Sequence, residues 1–392
     1  MRAALPLVAL LLSCGQPSER KALDPPRGRS HADYLSSFQQ TRPDDTSETD
    51  KMVLHVIDIG QGLAVLLEFP CGAILVDTGG EQNEGFDATV ALKRYLDEFF
   101  AVRTDLNKSL QSLVITHPHI DHTRGIEVVL SDFHVRNVVT NGQDHEDTGG
   151  PEQTALHRWV EKINTSEIDT IVGVQYVAAR DIPLKGLTSE VIDPIAGCQT
   201  SATDPVVTAL WGNVSGIKDY PGNPNDHSVV LRVDYGKSST LITGDLEFEG
   251  LAALTKKYAK HPELLDVDVY VVGHHGSRNA TAPHIMKAMT PKVAIISAGP
   301  YDRRYDWTGR KFGHPNIQAV NELTSPTHGV SWSREPETVW VGVKGAWEDK
   351  PELFEQQVIN RAVYSTGWDG TVAVRMYGNG WLEVDTAGRS TQ

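Results

Sequence analysis

The pattern of apolar and polar positions divides the chain beyond residue 50 into short strands and helices. Apolar runs bounded by Gly-rich turns predict strands, and apolar residues recurring at helical spacing predict helices. The predicted strands cover residues 52–58, 63–69, 73–76, 113–116, 135–139, 229–233, 240–243, 267–272, 293–297, 371–376 and 381–384. The predicted helices cover residues 86–102, 125–130, 152–163, 246–258 and 283–289. The stretch 165–224 is rich in Gly, Pro and Thr and gives no clear assignment.

The order of these elements predicts the fold class. Two β-rich halves follow one another, and each includes helices. An α/β (α+β) architecture, an αββα sandwich of two mixed β-sheets flanked by helices, accommodates this order. We expect one folded domain over residues 51–388.

Composition fits this fold and narrows the function classes. The chain has 392 residues, of which 40% are hydrophobic and 22% charged, as expected for a soluble globular protein with a sizeable core. No internal stretch is apolar for long enough to cross a membrane. The formal net charge of −15 argues against broad, unspecific affinity for nucleic acid, although a local basic patch remains compatible with it.

The N-terminal segment predicts export. Met1-Arg2 precedes an apolar run, and residues 11–15, Leu-Leu-Ser-Cys-Gly, resemble a bacterial lipobox with Cys14 as the lipidated residue. Residues 1–14 are therefore predicted to be a lipoprotein signal peptide, and residues 15–50 a flexible tether. An ordinary signal peptide with an incidental cysteine is the alternative. Gly15 resembles the pattern of lipoproteins sorted to an outer membrane, so the expected location is extracytoplasmic, periplasmic or outer-membrane.

Two cysteines lie in the folded part, Cys71 and Cys198. Export would permit a disulfide between them. Two buried free thiols are the alternative.

A dense cluster of metal-binding residues follows the apolar run 113–116. It consists of His117, His119, Asp121 and His122. His117 and His119 are two apart on an extended segment, so their side chains point the same way. A purely structural role is a poor explanation, because buried imidazoles and a carboxylate this crowded need partners. The cluster therefore predicts a divalent-metal site.

Further candidates lie beside predicted strands. His227 is a candidate third ligand of a first metal, or a lone surface histidine. Asp245 could bridge two cations, or could cap the following helix. Either His274 or His275 could complete a second metal site. Asp77 is predicted to orient a ligand rather than to bind metal itself.

In this order the candidate ligands resemble the metallo-β-lactamase superfamily, and more closely the exported metallo-β-lactamase-like domain of ComEC-type competence proteins. The resemblance covers about residues 52–385 and implies a metal-dependent hydrolase with His227 as a ligand and Asp245 as a bridge. The segments that carry it are 58–62 (DIGQG), 74–79 (ILVDTG), 241–247 (LITGDLE), 272–277 (VGHHGS) and 313–315 (GHP).

The chain departs from the family pattern at some points. Family members usually have an acidic residue where this chain has Leu63, and many ComEC-type domains lack a histidine at the position of His227. The chain also lacks the membrane-channel region of a complete competence protein. We therefore do not expect a role in DNA uptake.

Together these residues predict a dinuclear centre whose ions activate a bridging hydroxide and stabilise both oxygens of a phosphodiester displacement. Imidazole ligands favour zinc, while the carboxylates leave manganese possible. Asp121 is expected to be essential for catalysis. The predicted ligands are His117, His119 and His227 for one metal, Asp121, His122 and His274 or His275 for the other, and Asp245 as the bridge.

One loop predicts substrate contacts. Within residues 300–315, the side chains of Arg303, Arg304, Trp307 and Lys311 suit phosphate contact and stacking on a base or headgroup. The alternative is a loop packed by its own aromatic side chains. His314 is a candidate proton donor to the leaving oxygen, with a structural role as the alternative.

Three functional hypotheses follow. The leading hypothesis is an exported phosphodiesterase or nuclease acting on a small-molecule or nucleic-acid phosphodiester. The second is hydrolysis of another bond, such as a lactam, lactone or phosphocholine ester, and the third is a non-catalytic metal-binding surface lipoprotein. Membrane contact is expected only through the lipid anchor, and no protein partner is inferred.

Overall fold

The structure, a computed structural model, describes residues 50–143, 149–166, 171–198, 201–216, 223–343 and 353–388. The predicted signal peptide, Cys14 and all of the predicted tether except Asp50 lie outside these residues and stay predictions. Within the described ranges, no helix combines the length and the apolar composition that a membrane span requires.

Short strands and helices alternate along the described chain. The strands are β1 (Lys51–Val56), β2 (Val65–Phe69), β3 (Gly72–Val76), β4 (Gln82–Asn83), β5 (Phe86–Asp87), β6 (Ser109–Leu110), β7 (Ser112–Ile115), β8 (His134–Val135), β9 (Asn137–Thr140), β10 (Gly173–Tyr176), β11 (Pro205–Trp211), β12 (Val230–Tyr235), β13 (Ser238–Ile242), β14 (Val269–Val272), β15 (Val293–Ile296), β16 (Ser333–Gly342), β17 (Phe354–Arg361), β18 (Val363–Ser365), β19 (Val372–Tyr377) and β20 (Leu382–Thr386). The α-helices are α1 (Ala88–Val102), α2 (Ile120–Thr123), α3 (Ile126–Asp132), α4 (Gly150–Asn164), α5 (Phe248–Lys257), α6 (Pro283–Met289), α7 (Gly309–Phe312), α8 (Ile317–Leu323) and α9 (Thr366–Asp369). Single 3-10 turns span Thr104–Leu106, Ala179–Asp181, Pro224–His227, Pro262–Leu264 and Gly273–Gly276.

Two mixed sheets contain most of the strands. The first sheet has eight strands in the order β10-β9-β7-β3-β2-β1-β19-β20. The second sheet has six strands in the order β11-β12-β13-β14-β15-β18. Strands β3, β7 and β9 run parallel in the first sheet, and β13, β14, β15 and β18 run parallel in the second. A separate antiparallel hairpin is formed by β16 and β17.

The two sheets pack face to face and helices cover their outer faces. On β2, Val65 and Leu67 belong to the core between the sheets, whereas Leu66 belongs to the core under α1. On β14, Val271 lies in the shared core, while Tyr270 packs with residues of α5 and α6. Fully burying one such side chain contributes roughly 1.5–3 kcal/mol. The αββα sandwich predicted from the sequence is confirmed.

Local chemistry moves one predicted boundary. The first helix was expected from residue 86 but begins at Ala88, because Asp87 caps it. The carboxylate of Asp87 accepts a hydrogen bond from the backbone N–H of Thr89 at 2.9 Å. Phe86 instead pairs with Asn83 in a short hairpin.

Some elements were not predicted. β11 lies in the unassigned stretch and begins with a proline, which a strand at the edge of a sheet tolerates. The hairpin β16–β17 was also missed, because β16 carries a mostly polar, partly exposed sequence without a clear alternation.

Of the two alternatives for the cysteines, the structure contains the disulfide. Cys71, in the turn between β2 and β3, is bonded to Cys198 with a Cα–Cα distance of 6.0 Å. The bond links the first sheet to the segment that precedes β11.

Candidate metal centre

Most of the predicted ligands follow strand ends at one edge of the sandwich. His117 follows β7, Asp245 follows β13, and His274 and His275 follow β14. The carboxyl ends of parallel strands lie at the same edge of a sheet, where loops can direct side chains into a shared cleft. Backbone hydrogen bonds join the two sheets there, including one of 2.9 Å from Val229 N to Thr116 O.

Four side chains converge at this edge. Asp121, His122, Asp245 and His275 each place one ligand atom within 4.8 Å of the others, and this is the one such group of three or more found in the described part of the chain. His122 Nε2 lies 3.2 Å from Asp245 Oδ2. His275 Nε2 lies 3.4 Å from the same oxygen and 3.2 Å from Asp121 Oδ2.

Three of the separations in this group are close to those expected around a tetrahedral metal ion. Nitrogen and oxygen ligands about 2.0–2.2 Å from one tetrahedral ion lie about 3.3–3.5 Å apart. The observed separations of 3.2–3.4 Å are close to that value. In addition, His122 Nε2 and His275 Nε2 make no hydrogen bond of good geometry despite these nearby carboxylate oxygens, and Asp245 Oδ1 is buried without a hydrogen-bond partner. Buried polar atoms without partners are costly, so a cation bound among them would satisfy them.

Asp77 orients His122. Asp77 is fully buried, and its Oδ2 accepts a hydrogen bond of 2.7 Å from His122 Nδ1. Thr116 donates to both carboxylate oxygens, from its backbone N–H and its hydroxyl, each at 2.7 Å. With its proton held on Nδ1, His122 directs Nε2 at the convergent group.

The structure distinguishes the adjacent histidines. His275 Nδ1 donates to the carbonyl of Ser297 at 3.0 Å, and its Nε2 joins the convergent group. His274 Nδ1 lies 3.0 Å from Asn279 Oδ1, and its Nε2 is more distant from Asp245 Oδ2, at 3.9 Å. His275 is therefore the better placed of the two predicted alternatives.

His117 and His119 form a pair beside this group. His117 Nε2 lies 3.0 Å from His119 Nδ1, a separation that one shared ion would accommodate. The hydroxyl of Thr116 donates its single proton to Asp77, so it can only accept from His117 Nδ1, which lies 3.1 Å away. A proton donated from Nδ1 to Thr116 leaves the lone pair of His117 on Nε2, facing His119.

His227 is buried but is not part of the convergent group. Its Nδ1 lies 2.8 Å from Asn213 Oδ1 and 3.3 Å from the backbone N–H of Val214. These two contacts require opposite tautomers, and the shorter one favours a proton on Nδ1. His227 as a ligand of a first metal stays a prediction.

The alternative of Asp245 as a helix cap is not what the structure contains. Helix α5 begins at Phe248, and its N-cap residue is Glu247. The backbone N–H of Asp245 instead donates to Ser228 Oγ at 3.0 Å.

Opposite charges shift the pKa values at the centre. Burial alone would lower the pKa of His122, but the carboxylates of Asp245 and Asp77 outweigh it and raise that pKa well above its usual value. Burial also disfavours the charged form of His275, yet Asp245 and Asp121 raise its pKa to about 9. In the metal-free protein, protons on imidazoles thus balance the carboxylates, and a divalent cation would replace them.

Several contributors to the site were not foreseen from the sequence. Gly79 allows helix α2 to approach, since a Cβ there would lie 1.9 Å from the carbonyl carbon of Asp121. Thr116, Ser228 and Asn279 hold candidate ligands through the hydrogen bonds described above. Their small polar side chains carry no motif of their own, so only the strand-end position next to a ligand could have indicated them.

The loop over residues 300–315 combines both predicted alternatives. Its inner part packs on aromatic side chains, with Tyr301 stacked on Trp340 at a centroid distance of 4.3 Å. Its outer part exposes Arg304 and Trp307.

Two of the predicted cations in this loop have internal partners. Arg303 Nη1 lies 2.9 Å from Oε1 of the buried Glu81, and its guanidinium lies 3.9 Å from the centroid of Phe86. Lys311 Nζ lies 3.5 Å from Asp306 Oδ1. The loop therefore offers less free positive charge than its sequence suggests.

Similarity to known proteins agrees with this geometry. Residues 57–299 match the family described as "Metallo-beta-lactamase superfamily". Recombination protein 2 of Haemophilus influenzae is 27% identical over 67% of this chain and 26% of its own length. ComE operon protein 3 of Bacillus subtilis is 28% identical over 69% of this chain and 30% of its own length. The chain thus spans about a quarter to a third of the length of these curated relatives.

Solved structures give a more distant likeness. The metallo-beta-lactamase fold protein YhfI from Bacillus subtilis is 12% identical, with 63% of this chain and 85% of that chain covered and a TM-score of 0.34. A likeness so distant adds nothing to the family match. On the family match and the relatives alone, the resemblance seen in the sequence is confirmed.

Proposed function

The chain belongs to the metallo-beta-lactamase superfamily, and from this premise we propose that it is an exported dinuclear metal-dependent hydrolase of phosphodiesters. The observation that carries the proposal is the convergence of Asp121, His122, Asp245 and His275, whose ligand atoms all lie within 4.8 Å of one another. The adjacent ring nitrogens of His117 and His119 support a second ion.

In this proposal Asp245 would help to hold both ions. Asp121, His122 and His275 would hold one ion, and His117, His119 and His227 the other. When bound, two divalent ions lower the pKa of water and stabilise the charge that grows on phosphoryl oxygens. The imidazoles favour zinc, while carboxylate oxygens also suit manganese. The protein contributes rigid orientation, because Asp77, Thr116 and Ser297 fix the ligand rings through hydrogen bonds.

Three rings, those of Trp307, Phe312 and His314, form a row that leads from the surface towards the metal centre and is called the aromatic path here. This row supports a substrate with a planar group. Trp307 is 44% exposed, and its ring lies 5.6 Å from that of Phe312. Phe312 stacks against His314 at 5.9 Å, and His314 lies 5.9 Å from His274. A nucleobase or another flat substituent could stack at the outer end while its phosphate reaches the metal ions.

Charge favours a short substrate over a long duplex. Affinity for long nucleic acid grows with the number of phosphates that free cations neutralise. Arg303 and Lys311 are already paired, and the net charge is −15. Arg304 and Trp307 are therefore the proposed contacts to a small or single-stranded phosphodiester, while direct contacts from Arg303 and Lys311 stay predictions.

A metal assay combined with a substrate panel tests the proposal. Purified protein should contain about two divalent ions per chain and hydrolyse bis(p-nitrophenyl) phosphate. Asp121→Asn should lower the rate by about 100- to 1,000-fold or more, as when one charge-stabilising group is removed from an active site. Asp181→Asn is the matched control, since that carboxylate is 65% exposed and pairs only loosely with Arg180.

The same panel separates the alternatives. Cleavage of a lactam, lactone or phosphocholine ester without any phosphodiester cleavage would refute the proposed substrate class. Metal-loaded protein that is inert on every substrate would favour the non-catalytic metal-binding lipoprotein.

We propose further that the enzyme is lipid-anchored to the bacterial envelope through Cys14. The lipobox-like residues 11–15 support this proposal. Cells expressing the protein should incorporate labelled fatty acid into it, and Cys14→Ser should abolish the label. Soluble, unlabelled mature protein from the unmodified chain would contradict it.

A further inference from the structure

Gln61 makes a contact that the metal centre does not explain. It lies in the loop between β1 and β2 and is only 3% exposed. Its Nε2 lies 3.1 Å from His314 Nδ1, across 253 positions of the chain. Its backbone N–H donates to Glu81 Oε2 at 3.2 Å, and Glu81 is paired with Arg303. Gln61 is therefore held in place from the backbone and has its side chain aimed at one imidazole.

The direction of this hydrogen bond sets the tautomer of His314. The amide NH2 of glutamine can only donate, so His314 Nδ1 must accept. A neutral imidazole that accepts on Nδ1 carries its proton on Nε2. This is the reverse of His275, whose Nδ1 donates to the Ser297 carbonyl. His314 thus presents an N–H, whereas His275 could offer the lone pair of Nε2 to a metal ion.

His314 is placed next to the convergent ligands. Its ring centroid lies 5.9 Å from that of His274 and 6.3 Å from that of His275. Its backbone N–H donates to the carbonyl of Gly309 at 2.8 Å, and Phe312 stacks on its ring. The ring is therefore fixed at the inner end of the aromatic path, between the proposed stacking site and the metal centre.

We propose that Gln61 is a positioning residue that fixes the proton of His314 on Nε2, so that His314 donates a hydrogen bond to the leaving oxygen of the phosphodiester. This inference rests on the proposed function. It also gives Gln61, which lies in the segment 58–62 that carries the family resemblance, a physical role.

In the reaction, the oxygen of water forms a bond to phosphorus and the bond from phosphorus to the leaving oxygen breaks. The electron pair of that bond stays on the leaving oxygen, where the Nε2–H of His314 stabilises it by hydrogen bonding. His314 keeps its proton. The leaving oxygen takes up a proton from solvent, and the attacking water releases one to solvent, so a diester and water give a monoester and an alcohol.

Nitrogen NMR on protein labelled at histidine tests the tautomer without any metal or activity. His314 is assigned by the signals that disappear in His314→Gln. In the unmodified protein its proton should be on Nε2. Gln61→Glu should move the proton to Nδ1, because a carboxylate can only accept. A proton on Nδ1 of His314 in the unmodified protein, or no change in Gln61→Glu, would overturn the inference.

Kinetics with two leaving groups test the role. Phenolate, whose conjugate acid has a pKa of about 10 like that of tyrosine, needs more stabilisation than p-nitrophenolate. Gln61→Met should lower kcat for the phenyl diester by about 10- to 100-fold with KM little changed, and lower it less for the p-nitrophenyl diester. Gln318→Glu, at an exposed position on α8, should change neither rate. A merely structural role for Gln61 would lower both rates equally.

The outcomes separate the two proposals. If metal-loaded protein hydrolyses no phosphodiester, the proposed function is wrong and the leaving-group role falls with it, whatever the tautomer. If phosphodiesters are hydrolysed and Gln61→Met leaves the dependence on leaving group unchanged, this inference alone is overturned.

Discussion

Replacing Asp77 by asparagine should weaken metal binding while leaving the metal-free protein folded. Asp77 has a φ of 58°, in the left-handed region that asparagine also tolerates, so the backbone is preserved. The wild-type carboxylate accepts three hydrogen bonds of 2.7 Å, two from Thr116 and one from His122 Nδ1. The substitution replaces one accepting oxygen by an NH2 group that can only donate.

The metal-free protein can adapt to this change. Thr116 can keep its backbone hydrogen bond to the remaining oxygen and turn its hydroxyl to accept from the NH2 group. His122 can give up its Nδ1 proton and keep the proton on Nε2, because Asp245 Oδ2 lies 3.2 Å from Nε2 and can accept a hydrogen bond from it. The substitution removes the negative charge of the Asp77 carboxylate, so the remaining hydrogen bonds join neutral groups. The free energy of unfolding should therefore fall by about 1–2 kcal/mol, the difference between charged and neutral hydrogen bonds.

The metal-bound protein cannot adapt in the same way. A metal ion on His122 Nε2 requires the proton to stay on Nδ1, where it would face the NH2 group of asparagine. An unsatisfied buried donor costs about 1–3 kcal/mol. Metal affinity should therefore fall by about 10- to 100-fold, which is the usual effect of losing such an orienting partner.

Competition of zinc with a chromogenic chelator measures the affinity, and chemical unfolding of the metal-free protein measures the stability. Asp369→Asn is the matched control, since Asp369 is buried, accepts from Ser365 N at 2.9 Å and pairs with Arg334. It should lower the stability and leave the zinc affinity unchanged. Unchanged zinc affinity in Asp77→Asn would refute the reasoning, as would an affinity loss that merely follows unfolding.

Four further predictions follow from the structure. His275→Ala should lose more metal on dialysis than His274→Ala, because their Nε2 atoms lie 3.4 and 3.9 Å from Asp245 Oδ2; equal losses would contradict this ranking. Since the pKa of His275 is raised to about 9, metal affinity should rise with pH up to that value, with proton release visible as heat that depends on the buffer. In the metal-free protein the same shift contributes stability that is complete below the unfolded pKa of about 6.5 and is lost as pH rises through about 9, so an unfolding midpoint that rises over this window would contradict the sign. Reducing the disulfide between Cys71 and Cys198, which are 127 positions apart, should lower the free energy of unfolding by about 2–5 kcal/mol, and a reductant should have no such effect on the double Ser variant.

The interior of the fold could be predicted because buried helices and strands have apolar residues at regular spacing in the sequence. The helix α6 was predicted with the bounds that it has, because its apolar positions face the second sheet at helical spacing. The hairpin β16–β17 has no such spacing. Half of the residues of strand β17 are exposed, and they do not alternate regularly with buried residues. The formation of this strand therefore depends on its pairing with β16 and not on a pattern in its own sequence.

The site was predictable to the level of residue type and order, but not of geometry. His274 and His275 have nearly the same backbone conformation, with φ of 46° and 54°. Which ring reaches Asp245 is decided by contacts to Asn279 and the Ser297 carbonyl, which approach from elsewhere in the fold. Adjacent identical residues carry no signal that could distinguish them in the sequence.

The partner of Nδ1 is what separates the roles of these histidines. When the residue beside Nδ1 is a hydrogen-bond acceptor, the neutral imidazole carries its proton on Nδ1, and the lone pair of Nε2 can bind a metal ion. When the residue beside Nδ1 is a donor, the proton is on Nε2, and that atom can only donate. The sequence motif supplies the imidazoles, but the residues that assign their protons come from other strand ends and short loops. The sequence offered His314 as a candidate proton donor, and the contact of its Nδ1 with Gln61 gives that role a physical basis. The other contacts of this kind place an acceptor beside Nδ1: Thr116 for His117, Asp77 for His122, Asn279 for His274 and the Ser297 carbonyl for His275.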